Sequence, residues 1–447
     1  MKKVVLLTVL LVALGLGTAF AAQIDSLASS SGPVPPTQVY VNPGGLGDAL
    51  IYGYYNVRAQ DNFFTVTNTD TVNGARVRIR FREAATLVGP GLCNGSYEVL
   101  DFDICLSKGD VWSGLITTDA SGVAKLMSFD EDTYVQASPP PTQGVIFTDA
   151  YPNGVLFKNG ASNNGITAEQ TREGYFEIIA ERRLVDVGPN IIGTCGPDLL
   201  DVPGSDVGNV LMGTSYNVNI PTTANFAYSA TALADFTFAD ITSPITTNRP
   251  NLELDSESGE IEPVNYALTK NAVYTVYDLE SSILGKTNLI VTFPTKSLTH
   301  TSTFDSTTGK CVNGANDIFD DPRVRVVIYD DKENSPQSVC EFSPCEPGTD
   351  VSLPNEVNII DINSSLLFVS DLKVPIATNF DFGWISVNMV DTNTSVPSVA
   401  HQTTFGAYAS LGLPMIGYVA HDFSLGSITG TLPLQYTTNI IPIIVGN

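Results

Sequence analysis

The sequence predicts an all-β protein, built as two tandem antiparallel β-sandwich (Ig-like) domains related by internal duplication. Three observations predict it. Short runs of β-branched and aromatic residues recur along the chain, bounded by Gly, Asn and Asp. One of them, Ala75 to Phe81, alternates with a strict period of two. The grammar of that region then returns in the second half, in the same order.

Composition narrows the class further. The 447 residues include 47 Asp and Glu against 22 Lys and Arg, a net charge of −25. Only 15% of residues are charged and 43% are hydrophobic, where an ordinary globular domain is about 25% charged. Intrinsic disorder needs the opposite balance, low hydrophobicity with dense charge. Nucleic acid is excluded as an expected partner, because binding a phosphate polyanion runs on Lys and Arg.

The first element is read as an export signal. Lys2 and Lys3 precede an apolar run from Val4 to Leu16, and Ala19-Phe20-Ala21 places small residues where a signal peptidase reads. Residues 1–21 are therefore expected to be cleaved. The run is shorter than the roughly 20 apolar residues of a spanning helix, and no later stretch is long enough for a transmembrane helix. Loss of the two lysines takes the net charge to about −27. The predicted organisation continues with a Ser/Pro-rich linker or arm at 22–38, a first sandwich at 39–190, a connector at 191–207 and a second sandwich at 208–447.

Within the first sandwich, Ala49 to Val57 and Phe63 to Asn68 read as strands. Ala75 to Phe81 places Arg76, Arg78, Arg80 and Arg82 on one face and Val77, Ile79 and Phe81 on the other. Tyr97 to Leu106 alternates too, with Asp101 and Asp103 facing away from Leu100, Phe102 and Ile104. Antiparallel pairing would set Arg80 opposite Asp101 and Arg78 opposite Asp103. An anion-binding patch is the competing reading of the four arginines. Thr171 to Leu184 fits a short helix or a strand, with Gly174 to Ile179 favouring strand. Two further strand-like runs lie between Tyr266 and Pro294. Leu413 to Val445 is apolar and interrupted by Pro414, Pro433 and Pro442, which suit edge strands or extended arms.

The duplication rests on four matches. Arg323-Val324-Arg325-Val326 resembles Arg76-Val77-Arg78-Ile79, and a Cys follows 17 residues after each first arginine, at Cys93 and Cys340. Glu98-Val99 with Asp103-Ile104 corresponds to Glu356-Val357 with Asp361-Ile362. The only two tryptophans, Trp112 and Trp384, come next, each with an Asp seven residues on, and both are expected as core anchors.

Six cysteines in an exported chain read as disulfides: Cys93, Cys105, Cys195, Cys311, Cys340 and Cys345. The preferred pair is Cys93 with Cys105, which would pin the intervening loop over the polar face of its strand. One pair is expected among Cys311, Cys340 and Cys345. No CxxC occurs, so neither a zinc knuckle nor a thioredoxin-like site is suggested.

No catalytic residues are expected. His300, His401 and His421 fall in no close ligand spacing, and no GxSxG elbow occurs. Glu280 to Thr287 approaches a P-loop but has Glu where the first Gly must stand. No cofactor is expected, apart from Ca²⁺ as the ion the acidic clusters could take, with Asp130, Glu131, Asp132, Asp330 and Asp331 as the weak candidates. Tyr52, Tyr54 and Tyr55 are candidate sugar-stacking residues, against a simpler reading as core.

Several segments resemble a group of exported β-rich bacterial surface proteins to which no activity is assigned. They are Gly47 to Tyr52, Tyr54 to Arg58, Phe64 to Thr69, Val77 to Glu83, Glu98 to Phe102 and Asp110 to Ser113, with Val291 to Lys296 and Gly412 to Pro414 beyond them. The resemblance implies an extracellular or cell-surface location in a two-membrane bacterium, with the periplasm as the other compartment, and transfers no catalytic residue. The expected function is a non-enzymatic structural or interaction protein, assembling with itself into a filament or layer or binding other surface proteins. A carbohydrate-binding or adhesive module is the alternative, and a secreted hydrolase with an Asp/Glu pair is the second.

Overall fold

Alternating apolar residues, few helix formers and frequent turn residues leave the backbone little choice except extended pairing. The computed structural model describes residues 40–236 apart from 59, 85–95, 136–143, 161–164, 187–194, 197–198, 203–206 and 220–223. Beyond them it describes 271–276, 284–294, 303–305, 310–312, 323–330, 349–352, 355–363, 366–369, 372–375, 383–389 and 415–423. The expected signal peptide and linker lie outside these residues, as do Cys93, Cys340, Cys345 and Asp331.

The strands of the first half are β1 (Tyr40–Val41), β2 (Ala49–Asn56), β3 (Asp61–Asn68), β4 (Gly74–Glu83), β5 (Glu98–Leu106), β6 (Val111–Thr118), β7 (Ala124–Ser128), β8 (Tyr134–Val135), β9 (Val145–Ile146), β10 (Val155–Leu156), β11 (Glu173–Asp186), β12 (Leu199–Asp201), β13 (Leu211–Asn219), β14 (Ala224–Ser229) and β15 (Thr231–Ala234). A single helical turn, α1 (Phe147–Ala150), is the longest helix among the described residues. Later come β16 (Asn271–Val276), β17 (Leu284–Thr292), β18 (Thr303–Asp305), β19 (Lys310–Val312), β20 (Arg323–Asp330), β21 (Thr349–Ser352), β22 (Val357–Asn363), β23 (Leu366–Val369), β24 (Leu372–Pro375), β25 (Gly383–Met389) and β26 (Ile416–Phe423). Every strand pair is antiparallel, as an all-β chain of short connections dictates. No helix of the described residues is long and apolar enough to cross a membrane.

Two layers organise residues 40–236. A nine-stranded sheet runs β1-β15-β2-β11-β4-β5-β8-β9, with β12 beside β11, and a six-stranded sheet runs β10-β7-β6-β3-β13-β14. Aromatic side chains lock the facing surfaces together. Phe64 of β3 meets Phe176 of β11 at 4.6 Å between ring centres and Phe81 of β4 at 6.0 Å. Trp112 of β6 is fully buried against Phe64, Phe102 and Phe147. It is a core anchor, and truncating a side chain of this size in a core costs about 3–5 kcal/mol.

The expected boundary at 208 falls inside these layers. β13 pairs with β3 along its whole length, and β15 inserts between β1 and β2. Residues 208–236 therefore complete the sheets of the first half. The β strand reading of Thr171 to Leu184 holds: β11 is the 14-residue central strand, flanked by β2 and β4.

The second half contains a four-stranded sheet, β16-β25-β20-β21, a five-stranded sheet, β24-β23-β22-β17-β26, and the hairpin β18-β19. Its strand partners differ from those of the first half. β4 pairs with β5, while Trp112 lies in the opposite layer; β20 pairs directly with β25, the strand of Trp384. Similar sequence order is thus wired differently.

The five-stranded sheet meets the first half through a buried seam. The Gly53 N–H donates to the Tyr418 hydroxyl at 2.6 Å, and Thr292 Oγ1 donates to the Gly53 carbonyl at 2.5 Å. The Tyr418 ring lies 4.3 Å from that of Tyr228. Residue 53 must be glycine for this approach, since a Cβ there would collide with the Tyr418 hydroxyl. One hydrophobic cluster runs through the seam, taking in Ile290, Val357 and Ile416 with the first-half core.

Candidate functional site

The arginine strand was the first candidate, and its register is the one the alternation predicts. Arg80 stands opposite Asp101 and Arg78 opposite Asp103. The ion pairs run one step diagonally: Arg78 Nη2 lies 2.5 Å from Asp101 Oδ2, and Arg80 Nε lies 2.7 Å from Glu98 Oε2. A bulge between Phe81 and Arg82, together with sheet twist, offsets the long side chains from their direct partners. From the other side β11 supplies Glu177 to Arg80 at 3.2 Å and Glu181 to Arg76 at 2.8 Å, while Asp201 of β12 also pairs with Arg76.

All four arginines are buried, Arg76 to 1% exposure. Carboxylates of β5, β11 and β12 meet Arg76, Arg78 and Arg80, and Arg82 donates to the Ser96 carbonyl, so this face works as an internal ladder. Within it, burial raises the Glu98 carboxyl, and a hydrogen bond to Asp101 raises it further. Burial pushes Asp101 up as well, but Glu98, Arg78 and Lys158 outweigh it and hold Asp101 below the usual range.

The disulfide expectation needs correction. Cys105 is bonded to Cys195, 90 residues away, and not to Cys93. The reason is topological. Cys105 stands opposite Arg76 at the end of β5, and β12 folds back antiparallel on the end of β11, carrying the 195–201 segment to that edge. A bridge does pin a segment over the polar face, but the segment comes from across the sheet. Of the other cysteines, Cys311 lies on β19.

The acidic triplet is a turn. Asp130 Oδ1 accepts from the Asp132 and Thr133 N–H groups at 2.8 and 2.9 Å, an Asx turn leading into β8. Glu131 and Asp132 are exposed. No group of three or more His, Cys, Asp or Glu side chains among the described residues is arranged to hold a metal ion. Asp330 ends β20.

The tyrosines are core. Tyr52, Tyr54 and Tyr55 are buried, and their hydroxyls donate to Thr65 O, Glu173 Oε1 and Thr171 O. Burial raises all three hydroxyls well above their ordinary value. They offer no surface on which a sugar could stack.

A buried carboxylate pair lies at the seam, unmarked in the sequence. Glu356 accepts from the Ser96 N–H at 3.1 Å and from its hydroxyl, and donates its own N–H to the Ala84 carbonyl at 3.0 Å. Neighbouring Glu83 is fully buried, with Oε2 lacking a hydrogen-bond partner. Burial pushes its carboxyl up to about 8; the Tyr97 N–H opposes this and Glu356 adds to it. Both carboxylates are buried out of reach of a substrate.

What remains accessible is the outward face of the six-stranded sheet. Met127, Leu115, Phe63 and Tyr216 stand in one line across β7, β6, β3 and β13. Phe63 is 38% exposed and Tyr216 43%. Thr and Ser fill much of the flanking rows, with Val111 and Met212 also exposed. Sequence reading missed this face because it assigned the paired aromatics Phe63-Phe64 to one strand without asking which side each served. Adjacent aromatics in an alternating strand mean that both faces carry apolar bulk.

No family model matches the chain, and no curated protein matches it. A solved structure of the human norovirus GI.7 Houston strain virus-like particle aligns over 86% of this chain and 69% of its own, at 8% identity and a TM-score of 0.11, a score that implies no shared fold.

Proposed function

We propose that the protein is an exported, non-enzymatic structural or interaction protein of the cell surface, working through association with itself or with other surface proteins. The observation that carries the reading is the apolar row Met127–Leu115–Phe63–Tyr216 on an outward sheet face. Exposed apolar patches of this kind mark interaction sites. The export signal and the acidic, charge-poor composition agree with it. In this reading the second half is a second β-sandwich, made from the four- and five-stranded sheets. Its descent by duplication is supported by sequence order alone.

Electron microscopy and sedimentation of the mature chain test the proposal. Filaments, layers or defined oligomers are expected, and monodisperse monomers at high concentration would overturn self-assembly. Carbohydrate binding is the second reading, favoured by the exposed rings of Phe63 and Tyr216 in a Thr/Ser surround. A glycan array decides it.

A further inference from the structure

The apolar row has a charged row beside it. Lys125 of β7 pairs with Thr117 of β6, and Asp61 of β3 pairs with Val218 of β13. Because Asn62 pairs with Ile116, Asp61 lies level with Thr117. Lys125 and Asp61 thus stand at equal distances on either side of β6, at the same height. In the apolar row Met127 and Phe63 flank Leu115 in the same way. Among the described residues neither Lys125 nor Asp61 is in an ion pair within 4 Å, and Lys125 acts at longer range on Asp119, just after β6.

We propose that this face binds a second copy of the chain, about a two-fold axis lying in the interface along β6. The inference rests on the self-association reading above and deepens it. Such an axis lays Lys125 of each copy over Asp61 of the other, Met127 over Phe63, and Leu115 and Thr117 over themselves. Two-fold interfaces are self-complementary by construction, and two sheets packing face to face keep their strands nearly aligned. Charge selects the partner. Chains of net charge −25 repel one another over most of their surface. On the outward positions of β3, β6, β7 and β13, Lys125 and Asp61 are the only charged residues, and the axis matches them reciprocally. About this axis five strands, β10-β7-β6-β3-β13, overlap at a spacing of about 4.8 Å and offer a face of up to roughly 600 Å², against the ~800 Å² each partner gives to a standard interface.

The test uses the full mature chain. Sedimentation should show a dimer or a larger assembly. Asp61→Lys and Lys125→Asp should each weaken association by about tenfold or more, by setting like charges opposite each other, and the double exchange should restore it. Leu115→Cys, on the axis, should cross-link between chains on mild oxidation, while Val72→Cys, exposed in the turn after β3, should not. If the wild type assembles but the double exchange fails to rescue and Leu115→Cys stays uncross-linked, the two-fold face is wrong and self-assembly stands. If the wild type is monomeric throughout, both fall. Glycan binding lost on Phe63→Ala in a monomeric protein would reassign the face to carbohydrate.

Discussion

The two sheets of the first half invert the usual distribution of residues. The nine-stranded sheet buries Arg76, Arg78, Arg80 and Arg82 on the face away from the aromatic core. The six-stranded sheet exposes Phe63, Tyr216 and Met212 on the corresponding outer face. Charge stays inside one layer because Arg76, Arg78 and Arg80 each meet carboxylates of neighbouring strands and Arg82 donates to the Ser96 carbonyl, and a buried ion is tolerable only with such partners. Apolar side chains stay outside the other layer, and Phe63, Tyr216 and Met212 are exposed there. The contrast teaches that the polar ladder closes on itself, while the apolar face is the surface that the proposed association would cover.

The largest expected effect breaks the ladder. Arg76→Ala leaves Glu181 and Asp201 buried without their cation, and should cost about 3–5 kcal/mol of stability, measured by chemical denaturation. The next effect releases its edge. Cys105→Ser with Cys195→Ser opens a link between residues 90 apart and should cost about 2–4 kcal/mol, read as a lowered melting temperature under non-reducing conditions.

A smaller effect concerns the seam at the end of the ladder strand. The Glu83 carboxyl in the folded chain is pushed up to about 8 from an ordinary 4.5. The folded state therefore binds the proton more tightly than the unfolded state. The stability that the proton contributes is complete below pH 4.5 and is lost as pH rises to about 8. Glu83→Gln should flatten that part of the stability profile, removing a slope of at most about 1.4 kcal/mol per pH unit. Equal slopes for the two proteins would show that Glu83 is not protonated in the fold. The smallest effect is on the exposed face. Phe63→Ser should change the stability of the isolated chain by no more than about 0.5 kcal/mol. A larger loss would mean that the face is covered by its own chain, and the contrast between the sheets would fail.

Strand positions in the first half were legible because period-two alternation is a local property of the backbone. β2, β3, β4 and β5 lie within two residues of the runs read from sequence, and the β4–β5 register is the predicted one. A hairpin-like pair separated by one loop leaves few ways to align Arg78 and Arg80 with Asp101 and Asp103. The site was less legible. Tyr52-Gly53-Tyr54-Tyr55 looks the same whether its rings face a sugar or a core, and tertiary contacts decide it: Tyr52 packs on Phe64 and Phe176, and Tyr55 on Phe81 and Phe157.

The amino-acid order alone settles composition, the all-β class, the alternation of the arginine strand and its register against the next strand, since these depend on neighbours in sequence. Tertiary structure settles the rest. It joins Cys105 to Cys195 across the sheet, draws residues 208–236 into the first-half layers, brings Glu83 beside Glu356 and aligns Met127, Leu115, Phe63 and Tyr216 in one row. Each of these joins residues far apart in the chain. Such contacts follow from the order in which strands enter the sheets, which no local pattern encodes.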